Sequence, residues 1–475
     1  MPLWDTKKRS INPREKRIEI LNKPESLSLT SLLNKPSLLI ILFISFRLTV
    51  LLMQQPVMGG FIPDVPVEQF RINLEGKNFR EQGVTLLGDY WYYVGVMQYN
   101  LEGKLPYRDY WYEFPPVFAG LSTILFHFSI VPSNISLTFS VFSGLLALVM
   151  IVVDTLNLLM LRRIGTHLHS PASGMGIAWV YALLPMPYLN LFWNFEPLVA
   201  FTVLLSLDLL IRGRNLSGAF SIVLGTCTKF FPLILLGAVW KIQRMQDALK
   251  ITLAVGLLVG IVFGSMIALN REFGVASLAV QFNKASYDTV WAVLDGNHRQ
   301  GMLDTNRTDP QAAYRLQGNP AVIPWWLRAL VFGGVGFYVF VKTRRKDALG
   351  FVAFTLMTII IFFLWSQGWS PQWQVTLTPL ILLCFPDFFG ITFCISFALI
   401  NLAIHPFISF QVSPITGQYP PNIVPLWTLL VIFRTLFLVW LALKIYPILR
   451  MKRDWKVREN PLKAESSAAG TVDLR

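Results

Sequence analysis

Charged residues are scarce in this chain of 475 residues. Asp, Glu, Lys and Arg make up only 14% of it, whereas a soluble domain carries about a quarter, and hydrophobic residues reach 54%. This balance excludes an ordinary soluble domain. Together with a mean hydropathy of +0.51, it predicts a polytopic membrane protein.

Histidine and cysteine are also rare. The five histidines are scattered without the spacing of metal ligands, and the three cysteines all fall inside apolar segments. The cysteines are therefore interpreted as small hydrophobic core residues. The sequence offers neither a disulfide framework nor a metal-binding motif.

Acidic residues are fewer than basic ones, which gives a formal net charge of +14. Lys and Arg occur in short clusters beside apolar segments, the distribution that the positive-inside rule predicts for cytoplasmic loops. Outside the N-terminal tail there is no long basic face. Nucleic-acid binding is therefore excluded as a function.

Long hydrophobic segments, by contrast, are abundant. A helix needs about 20 largely apolar residues to cross a membrane, and about a dozen segments approach that length, which predicts an all-α transmembrane fold with about 10–13 spans. The segments cover residues 37–55, 115–133, 137–161, 172–190, 196–212, 217–239, 247–269, 323–342, 348–366, 372–386, 389–404 and 424–448.

The basic clusters predict the organisation of the chain. Residues 1–36 are expected to be a cytoplasmic tail, 37–450 the transmembrane domain and 451–475 a second cytoplasmic tail. The long polar loops 56–114 and 270–322 are then external. Simple alternation of the spans would place Arg162-Arg163 outside, and the charges around 217–239 do not fit it either. One resolution is that 115–133 or 217–239 is re-entrant or broken, and the sequence Thr228–Pro232 supplies a helix breaker.

The first external loop contains the most unusual stretch, Gly88–Pro116, in which acids lie among tyrosines and tryptophans. Tyr93, Val96, Met97 and Asn100 have helical spacing, which predicts a short interfacial helix with Asp89 at its N-terminus. Asp89 as a simple helix cap within an aromatic interface belt is the structural alternative.

A carboxylate in this loop suits glycosyl transfer. It can take the proton of an acceptor hydroxyl as that oxygen attacks an anomeric carbon, and in an inverting reaction one base is enough. Aromatic faces suit the apolar C–H edges of sugar rings.

Several motifs resemble those of the GT-C superfamily of integral membrane glycosyltransferases, particularly the polyprenyl-phosphate-mannose-dependent mannosyltransferases of glycosyltransferase family 87. In the first loop these are Asp89 with Tyr92-Tyr93, Gly103–Asp109 and Glu113–Pro116; later ones are Asn194–Pro197, Thr228–Pro232, Ser286–Trp291 and Ser370–Trp373. The resemblance implies an all-helical GT-C fold with interfacial helices in the first external loop, a lipid-phosphate-linked sugar donor, transfer on the external face, and inversion.

The resemblance also implies roles for individual residues. Asp89 matches the catalytic acid of the family, and Asp109 and Glu113 match supporting acids. Glu196 stands where relatives often have Asp, so its role is open. Candidates for the donor phosphate are Arg108, Lys229, His298 and Arg299. Further candidate substrate contacts are Tyr93, Tyr107, Trp291 and Gln372.

Some of these residues have plain structural alternatives. Lys229 is also interpretable as the partner of Asp208 or Asp154, and His298 as an exposed turn residue. The Trp-rich stretch that includes Gln372 also fits an aromatic belt. For Arg47, inside the first span, the sequence leaves open whether it snorkels outward or neutralises loop acids. No cofactor is expected; a divalent ion, which some superfamily members hold with loop acids, is possible but not expected.

The sequence therefore predicts a hexosyltransferase, with mannose as the first candidate sugar, in a prokaryotic plasma membrane with its N-terminus in the cytoplasm. Its expected partners are a polyprenyl-phosphate sugar, a lipid-linked or cell-envelope glycan acceptor and membrane lipids. Two alternatives remain: a transporter or flippase of a lipid-linked saccharide, and a noncatalytic subunit of an envelope-polymer assembly complex.

Overall fold

The computed structural model describes residues 29–53, 90–192, 194–301, 303, 306–412 and 417–454. Asp89 and most of the loop 56–114 lie outside these residues. The described chain is built from α-helices: α1 Leu29–Leu33, α2 Pro36–Met53, α3 Tyr90–Leu101, α4 Pro116–Ser129, α5 Ile135–Leu168, α6 Pro171–Leu183, α7 Pro185–Leu189, α8 Glu196–Ile211, α9 Asn215–Thr226, α10 Leu235–Ile242, α11 Met245–Leu269, α12 Arg271–Ala279, α13 Val290–Leu294, α14 Trp325–Lys342, α15 Ala348–Trp365, α16 Gln374–Cys384, α17 Phe388–Leu402 and α18 Val424–Arg450.

Between these helices lie shorter elements. Three-residue to five-residue 3-10 helices cover Phe231–Ile234, Pro310–Tyr314, Pro371–Trp373 and Ser409–Gln411, and a π-helical turn, Ala403–Ile408, extends α17. The strands β1 Arg345–Lys346 and β2 Arg453–Asp454 pair in parallel. Apart from these two-residue strands, the regular structure of the described chain is helical, and the prediction of an all-α fold is confirmed.

Seven helical segments of the described chain are long and apolar enough to cross a membrane, which makes the chain a multi-pass membrane protein. They are Pro36–Met53, Leu137–Leu168, Met245–Leu269, Trp325–Lys342, Ala348–Trp365, Phe388–Ile408 and Val424–Arg450.

The remaining predicted segments form shorter helices. The predicted segment 172–190 is interrupted after Leu183, because Pro185 starts the separate short helix α7. In α16 all 11 residues are buried. Helices that are apolar on all sides pack inside the protein, where they need not match the thickness of the bilayer.

The segment 217–239 is broken where the sequence predicts it. Helix α9 ends at Thr226, and a 3-10 turn with Pro232 leads into α10. Arg214 N donates to Leu209 O at 2.9 Å, and Gln243 Nε2 donates to Leu210 O at 3.2 Å, so α9 starts and α10 ends beside the last turn of α8. Residues 215–242 thus form a hairpin that runs away from this end of α8 and returns to it, called here the re-entrant hairpin, and Lys229 lies at its tip.

The basic clusters gather at one end of the helix bundle, called here the basic end. Arg163 and Arg212 both contact Asp208 at the end of α8. His169 bonds Leu383 O at 2.9 Å, and β1 pairs with β2. The first three contacts join the ends of α5, α8 and α16, and the strand pair holds the end of α18 beside residues 345–346.

Candidate functional site

The side of helix α3 that the residue spacing predicts to be buried does pack against the rest of the protein. Tyr93, Val96, Met97 and Asn100 are all buried. The Tyr93 ring packs against Phe118 of α4, with ring centroids 4.8 Å apart. Asp89 directly precedes α3 but lies outside the described residues, so its role as a base stays a prediction.

The turn after α3 is stabilised by Asp109. Its Oδ2 accepts hydrogen bonds from Leu105 N at 2.8 Å and Arg108 Nε at 2.9 Å. The hydrogen bond from Arg108 holds the pKa of Asp109 below its ordinary value. Both side chains are partly exposed, 48% for Arg108 and 31% for Asp109. Arg108 and Asp109 therefore shape the loop surface.

Tyr107 has a more internal place in the same turn. Its backbone φ is 65°, and its buried hydroxyl donates to Phe114 O at 2.6 Å. Burial is the main cause that raises its pKa well above the ordinary value, so the hydroxyl stays protonated. It fixes the path of the chain into the Glu113–Pro116 motif.

The end of the loop 56–114 is attached to the loop 270–322. Trp111 donates from Nε1 to Asn306 O and Asp309 O, and the guanidinium of Arg307 stacks 4.0 Å from its ring. Tyr112 N donates to Ser277 Oγ at 2.9 Å. The described parts of these two loops, far apart in the sequence, thus form one structure.

The first ion pair of the site joins these regions. Glu113 Oε2 lies 2.6 Å from Lys284 Nζ, and their side chains are 9% and 18% exposed. Gln281 Nε2 donates to the Glu113 carbonyl. Burial alone would lower the pKa of Lys284, but the Glu113 carboxylate and Tyr287 together outweigh burial, and the pKa is raised. Lys284 is a charged ammonium at the edge of solvent.

The second ion pair is formed by Glu196, at the first turn of α8, and Lys229, at the tip of the re-entrant hairpin. Their side chains are 2% and 17% exposed. Asn194 Oδ1 accepts a hydrogen bond from Glu196 N at 2.9 Å, which fixes the start of the helix. The sequence left Asp208 and Asp154 open as partners of Lys229, and the structure pairs it with Glu196.

Aromatic rings surround the Lys229 ammonium. Its Nζ lies 4.9 Å from the ring centroid of Trp373, 5.7 Å from Phe195 and 5.9 Å from Phe231. Such distances allow cation–π attraction. Phe195 in turn packs against Phe114 with centroids 4.7 Å apart. The aromatic cluster therefore joins the first-loop motif to the motifs that contain Glu196, Lys229 and Gln372.

The Ser286–Trp291 motif binds, through its backbone, the residues just before the Ser370–Trp373 motif. Tyr287 N donates to Gln367 O at 3.0 Å, and Trp369 N donates to Tyr287 O at 3.2 Å. A Cβ on Gly368 would lie 2.2 Å from the Tyr287 ring, so only glycine fits between them. Trp291 Nε1 donates to Leu364 O at 2.9 Å, which attaches α13 to α15.

Asp288 is a buried acid that the sequence analysis did not select. Its carboxylate accepts hydrogen bonds from Trp427 Nε1 at 2.8 Å and Tyr419 at 3.1 Å, while Arg434 donates to its carbonyl. Burial raises its pKa, and the Trp427, Arg434 and Tyr419 partners oppose that shift. Its φ of 48° marks the turn into α13.

Arg299 and His298 line a separate cavity of about 460 Å³ together with Tyr419 and Asn319. The His298 ring meets Trp427 edge-on at 5.5 Å, and burial lowers the pKa of Arg299. Gln372 lies in the 3-10 helix Pro371–Trp373, next to the Trp373 that contacts Lys229. Arg299 is thus grouped with His298, whereas Gln372 lies beside the second ion pair.

Lys284 and Arg307 are site residues that sequence reasoning missed. Lys284 comes directly before the Ser286–Trp291 motif, and this proximity is the signal that could have identified it. Arg47 is accounted for elsewhere: its Nε contacts Asp154 at 2.6 Å inside the bundle, where Tyr181 also donates to Asp154. In the described part of the chain no three His, Cys, Asp or Glu residues are grouped for a metal ion.

Comparisons with known proteins gave structural matches only. No family profile matches the sequence, and no curated protein matches it. Among the solved structures, the chain is similar to the Archaeoglobus fulgidus oligosaccharyltransferase in the apo form, with a TM-score of 0.38 and 11% identity over 92% of this chain and 58% of that one.

A second similar structure is the archaeal oligosaccharyltransferase AglB from Archaeoglobus fulgidus in complex with an inhibitory peptide and a dolichol-phosphate, with a TM-score of 0.34 and 10% identity over 92% of this chain and 58% of that one. This chain thus spans 58% of the length of the two matched structures. At these TM-scores the likeness does not establish a common fold.

Proposed function

We propose that the protein is a GT-C-type membrane glycosyltransferase. It moves a hexose, with mannose as the first candidate, from a polyprenyl-phosphate donor to a lipid-linked or cell-envelope acceptor on the external face. The observation that carries this proposal is the convergence of the motifs. The Lys284–Glu113 and Lys229–Glu196 pairs and the rings around Phe195 all lie next to the loop that follows α3.

The two lysines suit the phosphate of the donor. Each ammonium borders solvent, with 17–18% of its side chain exposed, and each is held by a more buried carboxylate. A donor phosphate beside such an ammonium gains a charge-assisted hydrogen bond, and the ammonium stabilises its negative charge as it leaves. Glu113 and Glu196 then act as the groups that hold the lysines in place.

The reaction balances with Asp89 as the base. The acceptor hydroxyl oxygen forms a bond to the anomeric carbon, and the bond from that carbon to the donor phosphate oxygen breaks. The bonding electrons leave with the phosphate, and the hydroxyl proton moves to the Asp89 carboxylate. Attack from the face opposite the phosphate inverts the anomeric configuration. The aromatic cluster offers faces for the sugar ring.

The direct test uses purified full-length protein in lipid nanodiscs. Polyprenyl-phosphate-mannose and extracted membrane lipids are supplied, and glycosylated product is detected by mass spectrometry, with polyprenyl-phosphate-glucose as a second donor. We expect product from the wild type and at least about a 100-fold loss with Asp89→Asn, the range that a general base contributes. Asp64→Asn, which alters another acid of the same loop, is the matched control.

Other outcomes assign another function. Full turnover by Asp89→Asn, with donor and product both verified, would remove Asp89 from the base role. Counter-flow of a labelled lipid-linked saccharide in proteoliposomes without covalent product would identify a transporter. An inactive wild type that restores envelope-polymer assembly in cells, equally well without the loop acids, would identify a noncatalytic subunit.

A further inference from the structure

A second cavity lies at the basic end of the bundle. It has a volume of about 750 Å³, within the range of small-ligand sites, and lies where α5 ends, α6 begins and α8 ends. Arg162, Arg163, Thr166, His167, His169 and Arg212 contribute polar lining. The lining residues therefore come from α5, α6 and the end of α8, which meet at this cavity.

This cavity is distinct from the candidate transfer site. Helix α8 has 16 residues, which extend about 24 Å at about 1.5 Å each. Glu196 stands at its first turn, whereas Arg212 follows its last residue. The two sites therefore lie at opposite ends of the same buried helix.

The cavity has an excess of positive charge. Arg163 Nε and Arg212 Nε share one carboxylate, Asp208 Oδ1, at 3.4 Å and 2.9 Å, and Asp208 is only 4% exposed. Arg162 contributes a third guanidinium. Its Nε is buried, and within the described ranges it has no hydrogen-bond partner. A buried donor without an acceptor is costly, so an acceptor from a ligand would be stabilising here.

The chemistry of the lining selects a phosphate group. Guanidinium groups are planar, and two of their N–H groups can donate to two phosphate oxygens at once, which gives bidentate binding. Helix α6 also starts at this cavity, with Ser170 as its N-cap, and a helix N-terminus favours an anion. Leu159 and Met160 add an apolar wall, which suits the acyl side of a lipid.

We propose that this cavity binds the phosphate headgroup of an anionic lipid at the membrane face opposite the transfer site. Basic clusters at helix ends are usual in membrane proteins because they set orientation. Here the arginines of different helices surround one hollow and share a single acid. Basic pockets between membrane helices bind anionic headgroups on this principle.

The test compares lipid retention in two matched variants. Purified protein is reconstituted in nanodiscs of phosphatidylcholine with increasing phosphatidylglycerol, and the bound lipid is measured by native mass spectrometry. Arg162→Gln removes the guanidinium with the buried Nε. Arg344→Gln removes the same charge from an exposed position near the same end of the bundle.

We expect the wild type to retain phosphatidylglycerol in preference to phosphatidylcholine. Arg162→Gln should weaken that preference about tenfold, the loss of one charge-assisted hydrogen bond, and Arg344→Gln should change it less than about twofold. Arg162→Lys, which keeps the charge but loses the fork, should fall between them. Equal retention by wild type and Arg162→Gln overturns the proposal.

A competition arm identifies the source of the phosphate. Inorganic phosphate at millimolar concentration should not displace the lipid if the apolar wall contributes to binding. Displacement that occurs in the wild type but not in Arg162→Gln would support a phosphate site and assign it to a soluble phosphate ester instead of a lipid. Displacement of equal extent in both proteins would count against the phosphate site. Circular dichroism of each variant checks folding. The assay requires no glycosyl transfer, so it is independent of the proposed function.

Discussion

The buried pair Glu196–Lys229 gives the sharpest prediction. Lys229→Met leaves the Glu196 carboxylate, only 2% exposed, without its cation. Breaking a buried pair by removing one partner costs about 3–5 kcal/mol. Because the Lys229 side chain keeps 17% exposure and some access to water, the lower end of that range, about 3 kcal/mol, is expected.

The pair also sets the outcome of the double variant. Glu196→Gln with Lys229→Met removes both charges, so it should recover most of the loss, and the coupling free energy should exceed about 2 kcal/mol. The assay is equilibrium unfolding by SDS in mixed micelles, followed by circular dichroism. Lys104→Met, which breaks an exposed pair with Glu102, is the control and should leave stability unchanged.

The same variants separate structure from function. If Lys229 binds the donor phosphate, the double variant should be stable yet lack glycosyl transfer. A coupling free energy below about 0.5 kcal/mol, the value of a surface pair, would refute the reasoning about burial. Full activity in the stable double variant would refute the phosphate role of Lys229.

Two further predictions concern the loops that carry the site. Gly368→Ala should lower both the thermal midpoint and the transfer rate, because the new Cβ would overlap the Tyr287 ring; Gly334→Ala, which meets open space in α14, should lower neither. The pKa of Lys284 is raised from its ordinary value of 10.5. The contribution of charged Lys284 to folding stability is therefore complete below pH 10.5, and it is lost as the pH rises through the higher pKa of the folded state. The stability difference between wild type and Lys284→Met in thermal melts should therefore shrink above about pH 10.5; a difference that stays constant would show that the Glu113 contact contributes nothing.

Local features could be predicted from the sequence. The buried face of α3 follows from the spacing of Tyr93, Val96, Met97 and Asn100. The break before Pro232 follows from the missing proline N–H. Both features depend only on residues that are close together in the sequence.

Partners across the fold could not be predicted in the same way. Sequence reasoning allowed Asp154 and Asp208 as partners of Lys229. In the structure Arg47 contacts Asp154, and Arg163 with Arg212 contacts Asp208. Glu196 lies beside Lys229 because the re-entrant hairpin turns back next to the start of α8. Which acid meets which base is decided by this tertiary path, which local periodicity does not encode.

The hairpin that carries Lys229 has a consequence for how the protein is made. Its helices, of 12 and 8 residues, are each shorter than the about 20 residues that a spanning helix needs. Neither half can therefore be laterally released into lipid as a stable span during synthesis. We therefore expect the hairpin to be stable only when it packs against α8 and α11, so the surroundings of Lys229 should form together with the tertiary fold.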